Sequence, residues 1–381
     1  MSGTTVNLFR STDTGAPTLN GLTGSLVTLL DACLKDGYNT RTLTGITRNG
    51  QVATATFNGH GYAADGLSKI QISGADQAEY NGIVQISNVT ANTFDYTVTG
   101  TPATPATGTL VSKVAPLGWG KAFTGTNIAA YRGAEVTGTK LYLRVDDTGG
   151  VSARVIGYET MSDVDTGTGL FPTNAQMSGG LYISKSGVAN GTSVPWVICG
   201  DGYNFYLVDA MASNLASYGW ESFGFGDIKS EMASDPFGCL IIGSNGYSST
   251  FPQGRLHHID NTYALTGHFL CRSWTQTGPS ITAGKTGATI AGTISGKGGF
   301  AYPHPLNNGF YISPIYVNDS STYYRGQVAG LYHPLHLNPF GANIVITANF
   351  SPIGRTLYSI SPGQSTNGPG ELYLDVEGPW R

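Results

Sequence analysis

Turn-forming pairs set the grammar of this chain. Asn49-Gly50, Asn58-Gly59, Asn81-Gly82, Asp201-Gly202, Asn245-Gly246 and Asn308-Gly309 stand between short apolar runs. Each supplies residues that tolerate the positive φ of a tight reversal. With Gly 54 and Pro 18 in 381 residues, long helices find little uninterrupted sequence in which to form. Such a chain is suited to many short strands joined by turns.

The runs between the turns read as strands of two kinds. Lys140–Val145 alternates, with Leu141, Leu143 and Val145 on one face and Tyr142 and Arg144 on the other, and Leu372, Leu374 and Val376 repeat the pattern. Trp196-Val197-Ile198-Cys199, Phe205-Tyr206-Leu207-Val208 and Ile344-Val345-Ile346 are continuous and too short for helices, so they predict strands covered on both faces. One segment has helical spacing: Leu26, Leu29, Leu30, Cys33 and Leu34, with Ser25 as the capping oxygen and Gly37 closing the end. The expected class is all-β with one short N-terminal helix, a β-sandwich main body and no fixed-period repeat.

Residues 41–115 differ in flavour. Thr, Ser, Ala and Val predominate there, Trp and Cys are absent, and a Thr101–Thr107 Pro/Ala/Thr loop lies near the exit. Strands are predicted over Val52–Phe57, Lys69–Ser73, Ile83–Val89, Phe94–Val98 and Thr109–Val114, enough for a small barrel or sandwich. The organisation expected is an inserted β-module, 41–115, within a main domain of 1–40 and 116–381 that has a possible sub-boundary near residue 284.

Charge and cysteine content exclude several classes. Net charge is −4 with no Lys/Arg run, so nucleic acid is not an expected partner. No apolar stretch approaches the roughly 20 residues of a membrane-spanning helix, and the first residues lack a secretory leader's basic and apolar regions. Cys33, Cys199, Cys239 and Cys271 are scattered without a CxxC pair and read as reduced, mostly buried thiols.

Motifs for chemistry are weak throughout. Gly278–Thr286 has five residues between its glycines where a phosphate loop has four. Asp163-Val164-Asp165-Thr166-Gly167 superficially matches a calcium loop but lacks the later acidic ligand, which favours a carboxylate-stabilised turn. Among seven histidines, His257-His258 are adjacent and His333/His336 flank Pro334, neither arrangement suited to zinc. The acids Asp146, Asp147, Glu159, Asp163, Asp165, Glu221 and Asp227 include no pair that spacing singles out for glycoside hydrolysis. Aromatic clusters at Tyr302, Phe310-Tyr311, Tyr316, Tyr323-Tyr324 and Tyr332 suit either a core and interface role or stacking on sugar rings. No catalytic, cofactor-binding or metal-binding residue is therefore nominated, and no cofactor is expected.

A resemblance adds to this. Arg10-Ser11-Thr12-Asp13-Thr14-Gly15-Ala16-Pro17, Leu19-Asn20-Gly21 and Asp31-Ala32-Cys33-Leu34 resemble the start of a group of tailed-bacteriophage virion proteins. Gly118–Phe123, Tyr131-Arg132, Leu143–Asp147, Gly157–Gly167 and Gly370–Asp375 echo the same group. The module is similar to small β-modules of phage tail and fibre proteins through His60-Gly61-Tyr62, Ile72–Ala75 and Tyr80-Asn81-Gly82. Where relatives run almost directly from Gly37-Tyr38 to the Gly-Trp-x-Lys-x-Phe segment, this chain inserts residues 41–115. The resemblance brings no catalytic motif. It implies a non-enzymatic virion protein, made in the bacterial host, that assembles as a homo-oligomer with other virion proteins on the tail, neck or baseplate. The alternatives it leaves are a capsid decoration or minor capsid protein and a binder of host-surface glycan.

Overall fold

Strands whose apolar residues fall on both faces need two covering layers, and the fold supplies them. The computed structural model describes residues 5–210, 220–246, 266–287, 302–319, 323–336, 345–346, 355–360 and 372–381. At its centre, antiparallel strands lie side by side in the order Asn7–Arg10, Trp196–Gly200, Asn204–Ala210, Trp220–Asp227, Cys239–Ser244 and Thr266–Leu270. Phe9, Ile198, Phe205, Phe223 and Ile241 face one core, while Leu8, Val197, Tyr206, Leu240 and Ile242 face a second.

The first core is closed by the N-terminal helix and by the strands Ile128–Arg132, Tyr142–Asp146 and Ser152–Tyr158, through Leu26, Leu30, Tyr131, Leu143 and Val155. The second is closed by Ile312–Asp319, Tyr323–Pro334, Leu357–Ile360 and Leu372–Asp375, through Val317, Leu331, Ile360 and Leu374. Ile281–Gly287, which contains Gly284, carries the chain between the ladders: Ile281 and Thr282 pair with Leu270 and Phe269, and Ala283 to Gly287 pair with Asp319 to Ile315. Among the described residues, eighteen strands thereby form one hydrogen-bonded network. With strands at 47% and helices at 5%, the protein is all-β and sandwich-like, as the turn grammar predicts.

The helix is Ser25–Leu30, continued by a wider π-turn over Asp31–Asp36. Its buried side is Leu26, Val27, Leu29, Leu30, Cys33 and Leu34. Gly37 ends it at φ 74 and ψ 174, an extended positive-φ conformation rather than the left-handed one of the usual C′ glycine, with its N–H closing the π-turn on Ala32 O. The cap differs from expectation. Ser25 Oγ donates backwards to Asn20 O, and the first-turn N–H groups of Leu26 and Val27 donate instead to Asp147 Oδ2 at 2.7 and 3.2 Å. A carboxylate distant in sequence does what the local hydroxyl was expected to do.

Residues 38–114 build two small sheets. One orders Tyr38–Thr42, Gly108–Val114, Lys69–Ala75 and Gly82–Gln85; the other orders Gly45–Asn49, Val52–Thr56 and Thr93–Thr97. Ile70, Ile72 and Leu110 from the first meet Ile46, Ala55, Phe94 and Tyr96 from the second. Gly50, at φ 59, turns the Asn49/Val52 hairpin, and Asn81 closes its own turn with two bonds to the Ala75 backbone. The predicted strands are present, with Ile83–Val89 shortened to Gly82–Gln85; Tyr38–Thr42 and Gly45–Asn49 come in addition.

Polar side chains stitch this part to the rest. Asn7 Nδ2 donates to Ala115 O at 2.6 Å while its Oδ1 accepts from Lys69 N, and Ser68 Oγ donates to Leu8 O. Arg10 joins Asp13 and Asp65. Beyond these two sheets, Leu117 N and Trp119 N donate to the Cys33 and Leu34 carbonyls, satisfying the end of the helix.

Candidate functional site

Each of the seven carboxylates read from the sequence has a structural position. Asp147 is fully buried and paired with Lys185, whose amine also donates to Leu22 O at 2.7 Å and Gly149 O at 3.0 Å. Burial raises the Asp147 carboxyl and lowers the Lys185 amine. Asp146 accepts from Thr148 and contacts Arg144, as a turn carboxylate does. Asp163 accepts the Asp165 N–H at 2.8 Å, and this bond together with the Thr166 hydroxyl holds it below the usual carboxylate range. Asp165 pairs with Arg144 at 2.6 Å. The Asx-type turn is thus what the Asp163–Gly167 stretch forms.

Glu159 takes the guanidinium of Arg272 in a two-pronged fork, 2.6 Å on each side, which lowers its carboxyl. Asp227 binds the Thr139 backbone and hydroxyl, and burial raises it. Glu221 lies directly across the strands from Asp209. Both are buried, and burial followed by the Glu221 charge pushes Asp209 well above the usual range.

Other expectations sort quickly. Ile281–Gly287 is a strand, so the glycine-rich stretch leads into no helix N-terminus there. His336 Nε2 accepts the Tyr311 N–H at 2.7 Å, and its ring stacks on Phe310 and Tyr311. His257 and His258 lie outside the described residues. Among the described residues no group of three or more His, Cys, Asp or Glu is placed to hold a metal ion. All four cysteines are buried and unbridged, and burial raises each thiol.

The aromatic residues separate into two sets. Tyr302, Phe310 and Tyr332 pack with Leu357 and Tyr373. Tyr323 and Tyr324 are 59% and 47% exposed, and Tyr323 stands beside Trp274, itself 51% exposed. The Trp274 and Tyr323 rings lie 5.9 Å apart at 61°. Next along the strand, Tyr324 meets Tyr316 at 5.6 Å, donates to Glu231 Oε1 at 3.2 Å and accepts from Gln327 Nε2 at 3.3 Å.

Buried charge fixes this exposed shelf. Arg325 sits in the core with its fork on Asp235, at 2.8 and 2.9 Å, and a further contact to Asp319. Asp319 also accepts the Trp274 N–H, so one carboxylate ties the tyrosine strand to the tryptophan loop. The loop is held at both ends: Arg272 by Glu159 at its start, and Ser280 by its hydroxyl bond to Leu270 O and by Gln176 Nε2 on its carbonyl. Gln276 at φ 60 and Gly278 at φ 78 turn it. Ser273, Thr275 and Thr277 form a hydroxyl ladder of 2.6 and 3.0 Å steps along the same loop. Sequence reading singled out Tyr323-Tyr324 but missed Trp274; the only local signal is a tryptophan in a Ser/Thr/Gln stretch bounded by Gly278-Pro279.

No known protein family matches the chain, and no curated protein matches it.

Proposed function

We propose that this chain is a non-enzymatic structural component of a tailed-bacteriophage virion, assembled in multiple copies on the tail, neck or baseplate. The observation that carries the reading is the placement of the residues in which the resemblance resides. Arg10 and Asp13 join the module to the body, and Lys121 and Tyr131 both hold Asp31 of the helix. Trp119 Nε1 donates to Asp201 O, Asp147 caps the helix, and Glu159 holds the Arg272 loop. These are joints, and a set of joints with no metal-binding cluster beside it among the described residues suits a building block.

Multiple copies are supported by the module's sheet ends. Gly82–Gln85 is a terminal strand of its sheet and carries Ile83, 45% exposed. An unpaired antiparallel edge with an open apolar side chain is a natural seat for a neighbouring subunit.

Gold-tagged antibody against residues 41–115, imaged on purified particles, tests the reading. Gold on the tail, neck or baseplate is the expected result. Gold over the head would move the protein to capsid decoration, and particles that lack the chain by mass spectrometry would overturn a virion role.

A further inference from the structure

We propose that Trp274, with Tyr323 edge-on beside it, forms a stacking platform for an uncharged pyranose sugar, with the hydroxyls of Ser273, Thr275 and Thr277 on the same loop. An exposed indole costs solvation, and a soluble surface tolerates it best where the ring has a use. Here the ring is held out rather than left out. Its backbone N–H is fixed by Asp319, which is itself fixed by buried Arg325, and its loop is anchored by the Arg272–Glu159 fork. A platform positioned before the ligand arrives avoids the ordering penalty of binding.

The chemistry of the surroundings selects the occupant. Apolar ring faces recognise the C–H face of a sugar, and hydroxyl neighbours match its equatorial oxygens. The charged groups that hold the loop are engaged with one another, Arg272 with Glu159 and Arg325 with Asp319 and Asp235. Charges already paired in this way offer little with which to attract an anionic sugar, so the platform fits a neutral one. This inference does not rest on the virion reading: a chain with any role could carry such a platform, and its test involves no particle.

The full-length protein is applied to an array of immobilised neutral oligosaccharides of glucose, galactose, mannose and their N-acetylated amines, with tryptophan fluorescence followed in solution. Trp119, Trp196 and Trp380 are buried, so among the described side chains the signal of a surface ligand comes from Trp274. Wild type should bind at least one of these sugars with a change in tryptophan emission. Trp274→Ala and Tyr323→Ala should each weaken binding roughly tenfold or more, and Trp274→Phe, which keeps an aromatic face, by only about threefold. Melting temperatures separate lost binding from lost folding, because a half-exposed loop side chain should leave them nearly unchanged. Absence of binding to every neutral sugar, binding only to uronate-containing chains, or full binding by a folded Trp274→Ala protein would each overturn the proposal.

Discussion

Strands Asn204–Ala210 and Gly108–Val114 are both seven residues long and are built under different constraints. Every residue of the first is buried, whereas the second alternates, with Leu110, Ser112 and Val114 inside and Val111 and Lys113 partly open. The first runs between two cores; the second covers one. A strand's tolerance therefore depends on how many layers surround it, and the same backbone geometry can make every position consequential or only every other one.

Alanine at successive positions tests this contrast most strongly. Phe205 faces the helix-side core and Tyr206 the opposite one, where its hydroxyl donates to Ala329 O at 2.7 Å. Phe205→Ala and Tyr206→Ala should each cost about 3–5 kcal/mol in denaturant unfolding. In Gly108–Val114, Leu110→Ala should cost about 2–5 kcal/mol, while its exposed neighbour Thr109→Val should stay within about 0.5 kcal/mol. A mild Tyr206→Ala would mean that the second core is not a true covering layer.

This difference was legible in the sequence. Phe205-Tyr206-Leu207-Val208 has no polar face to turn outwards, and Thr109-Leu110-Val111-Ser112-Lys113-Val114 has one. Strand Tyr38–Thr42 was not legible, because its sequence Tyr-Asn-Thr-Arg-Thr carries little apolar signal and gains its place by pairing with Gly108–Val114. Nor was the role of Asp147, which lies 121 residues from the N–H it accepts. The candidate platform was half visible: Tyr323-Tyr324 stands out locally, but the exposure of Trp274 is decided by Asp319, Arg325 and Glu159, which only the fold brings near.

The helix joint offers a smaller and sharper test, since a buried pair can be a replaceable ornament or a working cap. Lys185→Met leaves Asp147 buried without its cation and should cost about 3 kcal/mol, the lower end for a broken buried pair, because two backbone N–H groups still hold the carboxylate. Replacing both, with Asp147→Leu added, removes the uncompensated charge but strips Leu26 and Val27 of their acceptor. The double variant should therefore recover little of the loss, and recovery to wild-type stability would show that the cap contributes nothing.

The smallest expected effect concerns Asp209 in the doubly covered strand, and it carries a sign. Asp209 faces Glu221 across the ladder, and its Oδ2 has no hydrogen-bond partner. Burial first and the Glu221 charge second raise its folded-state pKa well above the usual value. A carboxyl raised in the folded state contributes its stabilisation below its unfolded value, about 3.9, and loses it as pH climbs through the raised folded value. Asp209→Asn removes that liability, so it should stabilise the protein at about pH 7–8 by on the order of 1–3 kcal/mol, the scale of one unsatisfied buried polar group. The advantage should shrink as pH falls to about 4 and below, where the wild-type carboxyl becomes protonated in both folded and unfolded chains. Urea unfolding of both proteins across that range checks the slope. A difference independent of pH would mean that Asp209 titrates alike in both states, and that the doubly covered strand reaches water at its Ala210 end.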